Sequence, residues 1–301
     1  MVKFTVIGGD SSEDLARKIA RSLKAPYVKT ENRVFPDGES KITIKKIPRN
    51  HIILVVQSTY PPVDTNLLHL LSVISKARKY SSKIYAIIPY MGYARQDREF
   101  LEGEVISISV IGKLLRAVGT RKIITVDIHS NIALRELKIP SENIMAITEL
   151  VKYFKKKKLK NTLIVSPDLG GRQRAEKFAS LMNIESIALK KHRNRKTGKI
   201  YILTSKIDVK DRDVILVDDM ISTGGTIIKT SELLSKLGVN EIIAMCTHAI
   251  LLDDSQKRIE ESGVKRIIST NSIPNNITNI DITSIIVNEI KKSKWLIELN
   301  R

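Results

Sequence analysis

The sequence predicts an α/β fold of two similar halves, each a mainly parallel sheet with helices on both faces. Three observations carry this expectation. Short, β-branched apolar runs recur, each ending in small or polar residues. Amphipathic helical patterns lie between many of them. The layout of the first half returns in the second.

In chain order the strand-like runs are "FTVIGGD", "IILVVQST", "IYAIIPYMG", "IITVDIHS", "TLIVSPDLGG", "VILVDDMIS" and "IIAMCTHA". Near-continuous apolar runs suit strands buried on both faces, the habit of parallel sheets. "SEDLARKIARSLK" carries Leu15, Ile19 and Leu23 at four-residue spacing, one stripe of a helix. "TIIKTSELLSKLG" carries Ile227, Leu234 and Leu237, and Gly238 supplies a helix stop. "IGGDSSEDLARKIARSL" shares its order of strand end, turn and helix with "SPDLGGRQRAEKFASLM". "VVQSTYPPVDTNLLHLLSVISK" is laid out like "LVDDMISTGGTIIKTSELLSK". The repeat sets a boundary near residue 145, giving halves 1–145 and 146–301. "STNSIPNNITNID" reads as a loop.

The 301 residues are 42% hydrophobic and 28% charged, as in a soluble globular protein with a sizeable core. The single cysteine, Cys246, sits in an apolar run and reads as a buried, inert thiol. With no disulfide available and no signal-like N-terminus, a cytoplasmic location is expected. The longest apolar runs are strand-length, so no membrane span is expected. The net charge of +19 fits a solvated lysine surface first and small polyanionic ligands second. "YFKKKKLKN" reads as an exposed helix end and loop. Few aromatics interleave the basic residues, so nucleic acid is not the expected partner.

In folds of this class ligands bind beyond the carboxyl ends of the strands. The polar clusters fall there: Gln57, Asp127 with His129, Asp168, and Asp218 with Asp219. "VILVDDMISTGGTI" is the most informative. A strand delivers Asp218 and Asp219 at its carboxyl end, and a turn with Gly224 and Gly225 leads into a helix. Backbone N–H groups and the helix N-terminus make an anion nest suited to phosphate. Ser222, Thr223 and Thr226 add hydroxyl donors. The carboxylates are poor neighbours for phosphate and good acceptors for sugar hydroxyls. The ligand expected is therefore a phosphorylated sugar.

This stretch is similar to the ribose-phosphate site of the phosphoribosyltransferase-type fold, shared by enzymes that make phosphoribosyl pyrophosphate and enzymes that spend it. "RVFPDGESK", "GYARQDR", "DIHS" and "SPDLGG" precede it in that order. The ordered set resembles ribose-phosphate pyrophosphokinase over nearly the whole chain. The resemblance implies two phosphoribosyltransferase-type domains and transfer of a diphosphoryl group from MgATP to ribose 5-phosphate.

It also implies site roles. Phe35, Asp37, Gly38 and Glu39 would contact the adenine of ATP from a neighbouring subunit, making the protein at least a homodimer with a shared ATP site. Arg95, Gln96 and Asp97 would lie on the nucleotide. His129 and Asp168 would contact Mg²⁺ and its phosphates. Asp168, Leu169, Gly170 and Gly171 would form the pyrophosphate loop. Asp218 and Asp219 would hold the ribose hydroxyls, and Ser222, Thr223, Gly224, Gly225 and Thr226 the 5-phosphate. Lys191 and Arg193 match the Lys-x-Arg of the family's catalytic loop.

Two departures stand out. Lys138 and Glu142 occupy positions where some members carry further acidic residues, and a lysine cannot ligate a metal. The phosphate loop begins with Ser222 where many bacterial members have aspartate. Two other readings remain open at this point: a phosphoribosyltransferase, and a non-catalytic or nucleic-acid-binding relative on the same fold.

Overall fold

The structure is a computed structural model describing residues 3–157, 161–193, 200–203 and 208–292, without side-chain detail for 190–193, 200–203, 278 and 279. It divides into two compact units, Met1–Met145 with two later segments, and Ala146–Asn271 with Asn275–Ile280.

The first unit opens with β1 (Phe4–Gly8), a 3-10 turn at Asp10–Ser12, and α1 (Glu13–Leu23). There follow β2 (Tyr27–Val34), β3 (Ser40–Ile44), β4 (Ile52–Val56), α2 (Val63–Ala77) and β5 (Ile84–Ile88). Then come α3 (Ser107–Val118), β6 (Thr120–Val126), α4 (Asn131–Glu136) and β7 (Ser141–Ile144). The sheet runs β3-β2-β1-β4-β5-β6-β7, parallel throughout except for the β2–β3 hairpin.

The second unit begins with α5 (Ile147–Lys155), β8 (Thr162–Ser166), α6 (Arg172–Met182) and β9 (Glu185–Ala188). β10 (Lys190–Arg193) and β11 (Ile200–Leu203) form a separate antiparallel pair. β12 (Asp213–Ile221), α7 (Gly225–Lys236), β13 (Glu241–Ala249), α8 (Ser255–Glu261), β14 (Val264–Thr270) and β15 (Thr278–Ile280) complete it. All its sheet pairs are parallel, in the order β15-β14-β13-β12-β8-β9. That order repeats β7-β6-β5-β4-β1-β2 position for position, so the duplicated layout holds in three dimensions.

β4, β5 and β8 are buried at every position, which requires cover on both faces. In the first sheet Ile7, Ile53 and Val55 pack under Leu67, Leu70 and Ile74 of α2. On the other face Val6 and Leu54 are buried beside α1, which packs on β1 and β4. In the second sheet Val165, Leu216 and Ala244 join Ile227 and Leu234 of α7. Its opposite face is closed by α6, and α5 packs on α6 through an edge-on contact of Phe154 with Phe178, 5.8 Å between ring centroids.

The last helix, α9 (Thr283–Lys292), belongs with the first unit, where the sequence expectation of 146–301 had put it in the second half. It lies beside α1, and its Ile286 and Ile290 are fully buried. Lys18 pairs with Asp281 at 2.8 Å, and Ser58 Oγ donates to the carbonyl of Ser272 at 2.6 Å. α9 thus adds a second cover to α1, which already packs on β1 and β4. Among the described residues no helix is long and apolar enough to cross a membrane.

Candidate active site

The acceptor-side residues lie in the second unit. Asp218 and Asp219 sit inside β12 rather than at its last residues, since Met220 and Ile221 still pair with His248 and Ala249 of β13. Asp219 is 6% exposed and Asp218 is partly exposed. Asp218 accepts from the Asp219 N–H at 2.8 Å, and Asp219 accepts from the Met220 N–H at 2.9 Å. Burial, then the adjacent Asp219 carboxylate, pushes the Asp218 carboxyl well above the usual aspartate range, and Asp168 adds to the effect. Cys246, opposite Asp218 on β13, is buried and its thiol is pushed up by burial and then by these two carboxylates. It is held protonated and inert, as its sequence context implied.

The loop after β12 turns sharply. Gly224 has φ +74°, and a Cβ there would stand 2.7 Å from Ile259 Cδ1 of α8. Only glycine meets both constraints. Gly225 differs from the sequence reading: it is the first residue of α7 and needs no special backbone. A Cβ at Gly225 would meet nothing closer than Thr223 Oγ1 at 3.9 Å, so its bareness leaves the mouth of α7 open. The first N–H groups of any helix lack intrahelical partners, and here they follow a loop bearing Ser222 and Thr223, with Thr226 in the first turn of α7.

A second turn, Pro167–Gly171, joins neighbouring β8 to α6. Ser166 Oγ donates to the Asp168 carbonyl at 2.7 Å, and the Gly171 N–H donates to Asp168 Oδ1 at 3.2 Å. A Cβ on Gly171 would stand 2.5 Å from Ser166 Oγ, so the turn is built around a bare backbone. Leu169 projects into solvent, 52% exposed, and Gly170 is exposed beside it.

The nucleotide-side residues lie in the first unit. The "FPDGE" turn joins β2 to β3, with the Gly38 N–H donating to the Phe35 carbonyl at 2.9 Å. Asp37 Oδ1 accepts from the Glu39 N–H at 3.1 Å. Asp37, Gly38 and Glu39 are exposed, and the Arg33 guanidinium lies 5.6 Å from the centre of the half-buried Phe35 ring. Arg95 is exposed, and Gln96 Nε2 donates to Glu104 at 3.0 Å. Asp97 is 3% exposed, receiving Arg98 Nε at 2.9 Å and the hydroxyl of Ser130. Burial alone would raise its carboxyl, but the bonds from Arg98 and Ser130 outweigh it and hold the group below the usual range. His129 is exposed three residues beyond the end of β6, and Ser130 Oγ caps α4 by accepting the Ala133 N–H at 3.0 Å.

Lys191 and Arg193 lie on β10, facing Ile202 and Ile200 in register, with their side chains outside the described residues. The turn at 194–199 is also outside them. Glu142 is paired with Lys122 at 3.0 Å, which removes it further from any role in holding a second metal.

Comparison with known proteins decides between the enzymes that share this site. Residues 4–119 match the N-terminal domain of ribose phosphate pyrophosphokinase, and residues 135–283 match the phosphoribosyl transferase domain. A ribose-phosphate pyrophosphokinase from Sulfurisphaera tokodaii is 35% identical over 294 residues, covering 95% of this chain and 99% of that one. The chain belongs to the ribose-phosphate pyrophosphokinase family. The Clostridium perfringens ribose-phosphate pyrophosphokinase is 38% identical over 272 residues, covering 89% of this chain and 85% of its own. The crystal structure of phosphoribosylpyrophosphate synthetase from Mycobacterium smegmatis superposes with a TM-score of 0.86 at 29% identity, covering 96% and 98% of the two chains.

The site residues expected from sequence thus fall in two groups, one in each unit. Asp97, expected on the nucleotide, has its oxygens bonded to Arg98 and Ser130. Ser130, Ser166 and Ile259 were not singled out in advance. Only Ser130 carried a local signal, a serine directly before a helix. Among the described residues no three His, Cys, Asp or Glu side chains are gathered as a metal cage. The partly exposed Asp168 carboxylate suits a Mg²⁺ that arrives on phosphates and keeps most of its own oxygen ligands.

Proposed function

We propose that the protein transfers the β,γ-diphosphoryl group of MgATP to the carbon-1 hydroxyl of ribose 5-phosphate, giving phosphoribosyl pyrophosphate and AMP. The observation that carries this is the pairing of two bare-backbone turns at the ends of adjacent strands β8 and β12, with Asp218 and Asp219 beside them. A sugar lying over β12 has carboxylate acceptors for its hydroxyls and the mouth of α7 for its phosphate. The Asp168–Gly171 turn takes the diphosphate added at carbon 1.

The hydroxyl oxygen attacks the β-phosphorus in line. The bond from that phosphorus to the α,β-bridging oxygen breaks, AMP departs, and the hydroxyl proton is lost to solvent. Such a transfer calls for positioning and charge neutralisation rather than a covalent intermediate. Magnesium on the nucleotide's phosphates supplies part of that neutralisation. Lys191 and Arg193 supply cations from β10, and Arg95 and His129 engage the nucleotide's phosphates. Phe35, Asp37 and Glu39 hold its adenine across a subunit boundary, so the active species is at least a homodimer. Asp97 acts through Ser130 and Arg98, keeping the Arg95 loop and the His129 turn in register.

The test is AMP formation from ATP and ribose 5-phosphate, with and without Mg²⁺. AMP that needs both substrates and the metal supports the reading. AMP absent, with base-dependent pyrophosphate release instead, overturns it in favour of a phosphoribosyltransferase.

A further inference from the structure

α2 carries His69 on its buried face, 5% exposed. Its ring meets the base of the β2–β3 hairpin. Nε2 lies 3.0 Å from Ser40 Oγ on β3 and 3.4 Å from Asn32 Nδ2 on β2. Nδ1 lies 3.7 Å from Asp10 Oδ2. Nε2 therefore faces both strands of the hairpin and Nδ1 faces Asp10. Ser40 stands opposite Val34, the residue before Phe35. One imidazole therefore touches both strands directly beneath the "FPDGE" turn.

Thr30, which bonds the Gly8 carbonyl, and the core residues Val28, Ile42 and Ile44 anchor the lower part of the hairpin, and His69 meets its turn end. β3 is an edge strand, paired only to β2, and Val34 near the tip is 59% exposed. Asn32 Oδ1 is buried without a hydrogen-bond partner, so the His69 ring is that amide's polar neighbour on the core side. A strand pair held from one side tilts easily, and a buried polar contact to a rigid helix restricts the tilt.

We propose that His69 is a positioning residue that sets the reach of the β2–β3 hairpin, and so tunes affinity for the nucleotide donor without touching it. This rests on the reading above that the hairpin holds the donor's adenine. Replacing His69 by leucine keeps the bulk and removes the polar ring nitrogens. In the full-length protein His69→Leu raises the KM for ATP about five- to tenfold, the worth of one buried hydrogen bond. Turnover and the KM for ribose 5-phosphate stay unchanged. His69→Gln restores polar atoms at similar reach and recovers most of the loss. Ser40→Ala raises the ATP KM in the same way and adds little on top of His69→Leu.

Phe35→Ala separates the two layers. If it raises the ATP KM and His69→Leu does not, the inference is overturned and the hairpin reading stands. If Phe35→Ala leaves the ATP KM alone, the hairpin reading itself is overturned. Should His69→Leu fail to fold, Ser40→Ala and His69→Gln decide. A fall in turnover with both KM values unchanged assigns His69 to general stability and overturns the proposal.

Discussion

Ser130 donates its hydroxyl to the buried carboxylate of Asp97, joining the turn after β6 to the loop after β5. Arg98 completes the cluster from the solvent side. Asp97 therefore titrates below an ordinary aspartate, so its stabilising effect is complete above the unfolded value of about 3.9 and is lost as pH falls through the lowered folded value. Urea unfolding of the native protein and Asp97→Asn should converge progressively as pH falls below the unfolded value and separate above it, with the native protein more stable. Curves that stay parallel throughout would contradict the assignment.

Asp218 carries the opposite sign. Its folded value is raised, by burial first and by Asp219 second, so ionisation costs stability as pH rises from the unfolded value through the folded one. Asp218→Asn should melt at a higher temperature than the native protein at neutral pH, with the gap closing in acid. The same variant should lose ribose 5-phosphate affinity. A variant that melts lower at neutral pH, or binds the sugar as before, would contradict this account.

Gly224→Ala forces an L-residue to φ +74° and sets its Cβ against Ile259. The backbone term alone is about 1–2 kcal/mol. Thermal unfolding should show that loss or more, together with a raised KM for ribose 5-phosphate. Made in an Ile259→Ala background and compared with that single variant, Gly224→Ala should show the backbone cost without the crowding one.

Lys191→Ala should lower turnover about a hundredfold or more while leaving ATP binding largely intact, because a cation acting on the transferring group is felt mainly in the transition state. Arg193→Ala should behave alike. Turnover that survives both changes would remove β10 from the chemistry.

How much the sequence disclosed depends on how local each signal was. Strands β1, β4, β5, β6, β8, β12 and β13 were legible because parallel strands covered on both faces must be apolar throughout. β2 and β9 were not: "YVKTENRV" alternates and "ESIA" is short, as edge-side strands tend to be. The glycine turn before α7 could be read because its chemistry lies in consecutive residues. Asp97 could not, since its partner Ser130 is 33 residues away and reaches it only through the sheet order. His69 sits in "NLLHLLSVISK", where a helical stripe shows that it is buried but not that Ser40 and Asn32 await it. The placement of α9 was equally hidden, because an amphipathic helix does not state which surface it will cover.

That placement shapes how the protein is born. A ribosome releases residues 1–145 long before it makes Ser272 and α9, so the nascent first unit waits without the cover that α9 gives α1. Synthesis of the whole second unit falls within that interval, when the surface that α9 will cover is an invitation to chaperones and to aggregation.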